Sequence, residues 1–74
     1  MRKATTADFD QAVLHAIRGG SVTFQPIKDG VRAYMHEAGI FFQGGALRAK
    51  VDRSLQRLRR KSAIVFEGDC WRLL

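Results

Sequence analysis

The segment from Gly45 to Lys61 constrains the fold more than any other part of this sequence. Its apolar residues recur at i, i+4, i+8 and i+11, namely Leu47, Val51, Leu55 and Leu58. This spacing lines up one face of an α-helix, and at about 100° per residue all four lie within about 40° of Val51. The remaining surface is almost wholly cationic. The pattern therefore predicts a helix over 46–61 that buries a narrow apolar stripe and exposes a basic face.

The net charge of the chain is concentrated in this predicted helix. Between Arg48 and Lys61 there are seven basic residues and one acid, Asp52, so the segment alone accounts for the +6 of the whole chain. Exposed helix faces usually mix signs so that i,i+4 ion pairs form, whereas Arg53 and Arg57 repel each other at that spacing. We interpret this arrangement as a binding surface for an anionic partner, with nucleic acid as the first choice.

Composition limits the other classes of function. With 74 residues, 46% hydrophobic and 27% charged, the chain is typical of one globular domain, which we place at 1–74. One cysteine excludes an internal disulfide, and two distant histidines give no zinc spacing. There is no apolar run of about 20 residues and no signal-peptide pattern. We expect a cytoplasmic protein, nucleoid-associated if bacterial, that does not bind membranes.

No nucleophile is paired with a base, so we expect no enzyme activity, metal, cofactor or small-molecule substrate.

Two further helices are predicted before the basic one. Thr5 or Thr6 offers an N-cap for a first amphipathic helix through Ile17, which Gly19 and Gly20 end. Arg2 and Lys3 precede it as a flexible lead. A short strand is predicted at 21–24, because Val22 and Phe24 are β-prone. Pro26 suits the first position of a second helix that ends at Gly39, and Gly30 within it marks either a close contact or a tolerated glycine.

The C-terminal part changes to strand periodicity. Residues 63–66 and 70–74 flank the turn Glu67-Gly68-Asp69, which predicts a β-hairpin with Trp71 in the core. The strand at 21–24 could pair with it to give a three-stranded sheet. The 40–43 loop, with Ile40, Phe41 and Phe42, either plugs the core or forms an exposed protein-binding patch.

The end of the chain resembles the winged helix-turn-helix family. In many bacterial repressors of that kind the recognition helix carries valine, then leucine four and seven residues later, and a small residue, usually glycine, four further on. Val51, Leu55, Leu58 and Ser62 occupy these positions, followed by Ala63-Ile64-Val65. The resemblance implies a small α+β winged helix-turn-helix of three helices, a C-terminal β-hairpin (the wing) and a short first strand.

Two features depart from the family pattern. Ser62 stands where glycine is usual, so the helix must end without the residue that most easily adopts positive φ. The wing tip carries Glu67 and Asp69, whose carboxylates DNA would repel. We therefore predict that the tip of this wing does not contact DNA.

The resemblance also implies a DNA-binding protein, a small transcriptional regulator, with helix 46–61 in the major groove of double-stranded DNA. The length of the chain would suit a regulator encoded by a phage or mobile element. Its expected base-facing residues are Arg48, Ala49, Lys50, Arg53, Gln56 and Arg57. Its expected DNA-backbone contacts are Arg60, Lys61, Lys28, Arg2 and Lys3. Homodimerisation is left open.

Two alternatives remain at this point. One is a winged-helix protein–protein interaction module that uses the 40–43 loop and the acidic wing. The other is an RNA-binding or nonspecific nucleic-acid protein, against which the sequence shows no aromatic residues interleaved with the basic ones.

Overall fold

The computed structural model describes residues 2–74 and has the expected α+β layout. This layout comprises three helices, a C-terminal antiparallel hairpin and a short N-terminal strand, which pairs with a second short strand. In order, the elements are β1 (Arg2–Lys3), α1 (Thr6–Arg18), α2 (Phe24–Glu37), β2 (Ile40–Phe41), a 3₁₀ turn (Gly44–Ala46), α3 (Leu47–Arg60), β3 (Ile64–Glu67) and β4 (Cys70–Leu73).

Helix α1 begins and ends as its sequence predicts. The Thr5 hydroxyl accepts a hydrogen bond from the backbone N–H of Asp8, and the Asp8 carboxylate accepts one from the backbone N–H of Thr5 at 2.8 Å. This reciprocal capping box satisfies two donors that the first turn leaves unpaired. Gly19 caps the other end.

Helix α2 begins earlier than expected, and the strand predicted at 21–24 is wrong. Thr23 is the N-cap and Phe24 the first helical residue, which puts Pro26 at the third position. Proline costs nothing there either, because the first-turn N–H groups lack intrahelical acceptors. Only one trace of the expected pairing remains, a hydrogen bond of 2.7 Å from the Trp71 N–H to the Val22 carbonyl.

The short N-terminal strand lies instead at β1, which pairs in parallel with β2. Arg2 and Lys3 are therefore part of a sheet, and the expectation of a flexible lead is wrong. The Ala4 N–H continues the pairing with a 2.7 Å bond to the Phe41 carbonyl. The described residues form two separate two-stranded sheets rather than one of three strands, since β3 pairs only with β4.

The predicted hairpin forms as β3–β4, but Glu67 belongs to β3, so the turn has two residues instead of the three that we expected. Gly68 and Asp69 both have positive φ, 59° and 63°, as a type I′ turn requires. Ile64 and Trp71 on the inner face are buried. Ser62, which follows the C-cap residue Lys61 of α3, adopts φ 60°. Glycine usually supplies this conformation at a helix C-terminus.

One hydrophobic cluster, built from all three helices and the hairpin, forms the core. Of the 40–43 loop, Ile40 is buried and Phe42 packs edge-on against Phe9 with ring centroids 6.2 Å apart, whereas Phe41 is 54% exposed. The expected plug of the core is therefore confirmed for Ile40 and Phe42, whereas a protein-binding role for the exposed Phe41 stays a prediction. None of the helices within residues 2–74 is long and apolar enough to cross a membrane.

Candidate nucleic-acid interface

Helix α3 sits on the core through the apolar stripe that the sequence marks. Leu47, Val51, Leu55 and Leu58 are all buried, and Ser54 beside them is fully buried as well. The 3₁₀ turn precedes the helix, with a hydrogen bond from the Ala46 N–H to the Gln43 carbonyl. At the other end the Ser62 N–H donates to the Arg59 carbonyl. The stripe fixes which face of α3 points outward.

The outward face carries most of the residues that we predicted to read bases. Arg48, Ala49, Lys50 and Arg53 are exposed, and Gln56 is half-buried. Ala49 lies between long cationic side chains and offers no bulk of its own. An incoming anionic surface can therefore approach the backbone of α3 closely at this point.

Arg57 is held in an ion pair within the protein. Its Nε and Nη2 atoms donate hydrogen bonds to the two carboxylate oxygens of Asp10 on α1, at 3.1 and 2.6 Å. The buried Ser54 hydroxyl donates to Asp10 Oδ1 at 2.6 Å. This bidentate geometry is the strong form of an arginine–carboxylate pair. Arg57 consequently ties α3 to α1, and the repulsion expected between Arg53 and Arg57 is relieved by Asp10.

The ionisation of Asp10 follows from these contacts. Burial disfavours the carboxylate, but the hydrogen bonds from Arg57 and Ser54 outweigh burial, and the pKa of Asp10 lies below its ordinary value. The carboxylate is therefore charged at neutral pH and binds Arg57 as an anion.

A groove of about 640 Å³ runs along one flank of α3, between α1, β1 and the 40–43 loop. Its aromatic lining consists of the buried Phe9, the half-buried Phe42 and the exposed Phe41. Lys3, Lys50, Arg53 and Arg57 also line it. No acidic side chain occurs among the described residues that line it. We call this cleft the aromatic groove.

The other predicted contacts are distributed around the molecule. On the opposite flank of α3, the Arg48 guanidinium carbon lies 5.8 Å from the centroid of the Phe24 ring, a cation–π contact that holds the side chain against α2. Arg2 forms a bidentate pair with Asp8, at 2.5 and 2.6 Å, and this pair lowers the pKa of Asp8. Lys28 on α2 is half-buried, and Arg60 and Lys61 are exposed at the end of α3. Among the described residues, none of these four cations (Arg2, Lys28, Arg60 and Lys61) lines the aromatic groove.

The hairpin tip is less acidic in effect than its sequence suggests. Arg72 on β4 pairs with Glu67 on the outer face of the hairpin. The exposed pair leaves Asp69 as the main source of negative charge at the turn. On the inner face, Phe66 packs on Trp71 with ring centroids 4.7 Å apart and remains 44% exposed.

Sequence reasoning missed two features of this region. Ser54 occupies the i+7 position of the stripe that starts at Leu47, so a buried hydroxyl in need of a partner could have been foreseen, although nothing identified Asp10 as that partner. The meeting of aromatic and basic side chains was also missed. Phe41 and Phe42 are remote from Lys3 and Arg53 in sequence, and the fold brings them together in one groove.

No family model, curated protein or solved structure matches this chain. Within residues 2–74, no three His, Cys, Asp or Glu side chains are grouped so that they could hold a metal ion.

Proposed function

We propose that this protein binds double-stranded DNA by placing α3 in the major groove. The observation that carries the proposal is the exposed cationic face of α3, which is presented on a helix fixed by a buried stripe and by the Asp10–Arg57 pair. The major groove of B-DNA is wide enough for one helix. A rigid basic helix therefore has both the shape and the charge for this partner.

The exposed residues of α3 suit different tasks in such a complex. Lys50 and Arg53 can donate to guanine O6 and N7 or to nearby phosphates, and Gln56 can bond to adenine. Arg60 and Lys61 lie one turn and more beyond Gln56, where phosphates are the nearer partners. Arg57 keeps only part of its donor capacity, since Nε and Nη2 are occupied by Asp10. We therefore assign Arg57 mainly to holding the helix in position.

The layout of the chain supports the same proposal. Three helices followed by an antiparallel hairpin are the arrangement of a winged helix-turn-helix, with β3–β4 as the wing. On that basis we infer a small transcriptional regulator. Since Glu67 is paired with Arg72 and Asp69 lies at the tip, the wing contributes little to DNA affinity.

The first test compares Arg53→Glu with wild type in DNA binding as a function of salt concentration. Each phosphate contact contributes about one unit to the slope of log affinity against log salt. Loss of binding or a slope shallower by about one to two units is expected for Arg53→Glu. A target sequence enriched from a random duplex pool would then show specific recognition.

Arg18→Glu is the matched control, because it makes the same change in net charge. Arg18 is exposed at the C-terminal end of α1. Arg53 lines the aromatic groove, which lies at the other end of α1, roughly 18 Å away at 1.5 Å per residue. The effect of Arg18→Glu on DNA affinity is expected to be small. Equal losses in both variants would mean that only net charge matters, and a wild type that ignores duplex DNA at low salt would refute the proposal.

A protein-interaction module is the second candidate function. It is favoured by the exposed apolar side chains Phe41, Phe66, Leu73 and Leu74. A module of this kind would bind no duplex in the salt titration, and Phe41→Ser, at an exposed ring, would abolish its partner binding.

A further inference from the structure

The aromatic groove combines two kinds of surface that a nucleotide needs. Phe9, Phe41 and Phe42 line it, and Phe41 is 54% exposed. Lys3, Lys50 and Arg53 are exposed around the same cleft. An unpaired base can stack on an exposed aromatic ring while cations bind its phosphate. In duplex DNA the paired bases are stacked on one another, so an exposed ring has no such partner there.

The size and charge of the groove fit the same ligand class. Its volume of about 640 Å³ lies within the range of small-molecule sites, roughly 300–1,000 Å³. The cations come from two elements, with Lys3 on β1 and Lys50 and Arg53 on α3. The parallel pairing of β1 with β2 is what holds Lys3 beside Phe41. No carboxylate among the described lining residues opposes an anion.

We propose that the aromatic groove binds one nucleoside monophosphate unit, with its base on Phe41 and its phosphate between Lys3, Lys50 and Arg53. The unit is either a free nucleotide or an unpaired nucleotide of a strand whose duplex lies on α3. The second source rests on the proposed DNA binding, because it places the unpaired nucleotide beside the duplex. The first does not need it.

The test uses AMP, inorganic phosphate, a blunt duplex and the same duplex with a short single-stranded overhang. We expect AMP to bind wild type more tightly than phosphate does and to shift the NMR signals of the Phe41 and Phe42 rings. Phe41→Ala should weaken AMP binding about tenfold and leave phosphate binding unchanged, because base stacking is the lost interaction. Phe66→Ala, which removes another exposed aromatic ring, is the matched control and should bind AMP as wild type does.

The overhang identifies the source of the nucleotide. Tighter binding of the overhang duplex than of the blunt duplex, lost in Phe41→Ala, assigns the site to an unpaired nucleotide of a strand. AMP binding without an overhang preference assigns it to a free nucleotide. Either result supports the site.

The proposal requires that binding of the nucleotide depends on Phe41. The proposal is overturned if AMP binds no better than phosphate and Phe41→Ala changes neither AMP nor overhang affinity. Binding of the blunt duplex in that case would leave the proposed function standing. Conversely, Phe41-dependent AMP binding by a protein that ignores blunt duplex would retain the site and refute major-groove binding.

Discussion

At the scale of the residue, Asp10 is the side chain that ties α1 to α3 by hydrogen bonds. It accepts three hydrogen bonds from α3, one from Ser54 and two from Arg57. The Ser54 hydroxyl is fully buried, so without Asp10 it would lose its acceptor in a place that water does not reach. A buried polar group without a partner costs more than an ordinary hydrogen bond contributes.

Replacing Asp10 by alanine should therefore lower the free energy of unfolding by about 2 kcal/mol. Chemical denaturation of Asp10→Ala, Ser54→Ala and the double variant measures this loss. Because the two side chains are bonded, the losses should not add, and the double variant should be less destabilised than the sum by about 0.5 kcal/mol or more. Strictly additive losses would contradict the contact.

The same carboxylate predicts a dependence of stability on pH. The pKa of Asp10 is lower in the folded protein than in the unfolded chain, so its contribution is complete above the unfolded pKa of about 4 and is lost as the pH falls through the folded value. The stability difference between wild type and Asp10→Ala should be constant above about pH 5 and shrink below about pH 4. Denaturation curves across this range test the sign, and a difference that grows with acidity would refute it.

At the scale of the element, the end of α3 shows how a helix closes without glycine. The Ser62 N–H donates to the Arg59 carbonyl and the Ala63 N–H to the Leu58 carbonyl, both at 3.0 Å, which is the Schellman arrangement. It requires the positive φ that Ser62 adopts. A left-handed residue other than glycine costs about 1 kcal/mol or more.

Ser62→Gly should accordingly raise the free energy of unfolding by about 0.5–1 kcal/mol. Gly39 has φ 68° at the corresponding position after α2. Gly39→Ser is therefore the reverse substitution at an equivalent position, and it should be destabilising by a similar amount. Thermal denaturation of the two variants checks the opposite signs. A destabilised Ser62→Gly variant would mean that the serine side chain stabilises the fold by more than its positive φ costs.

At the scale of the whole molecule, the contact of α1 with α2 depends on a glycine. A Cβ atom at Gly30 would lie 3.0 Å from the Cβ of Ala16, closer than almost all real Cβ contacts. The glycine of α2 is thus explained by close helix packing rather than by tolerance. The crossing helps to set where α1 carries Phe9 and Asp10, and therefore how both residues meet α3.

Gly30→Val should destabilise the protein by about 1–3 kcal/mol through overpacking, despite the better helix propensity of valine. The exchange Ala16→Gly with Gly30→Ala keeps the total volume and should be close to wild type. Calorimetry on both variants compares them. A stable Gly30→Val protein would show that the helices move apart freely.

Sequence alone determined the elements whose information is local. The stripe of α3, the cap at Thr5 and the glycines after α1 are set by spacing and backbone preference within a few residues, and all three formed as predicted. The hairpin also formed, although its turn is one residue shorter than predicted. The exposed basic face of α3 follows from the same periodicity, because burying the stripe leaves the cations outside.

Only the tertiary structure decided which remote residues meet. Asp10 with Arg57, Lys3 with Phe41, and Gly30 with Ala16 are pairs that no local pattern connects. The segment at 21–24 was also mispredicted from local preference, because its residues are β-prone but Thr23 caps a helix that begins at Phe24. Secondary structure depends mainly on neighbours in the chain. A groove or an ion pair between remote residues depends instead on how the helices and strands pack against one another.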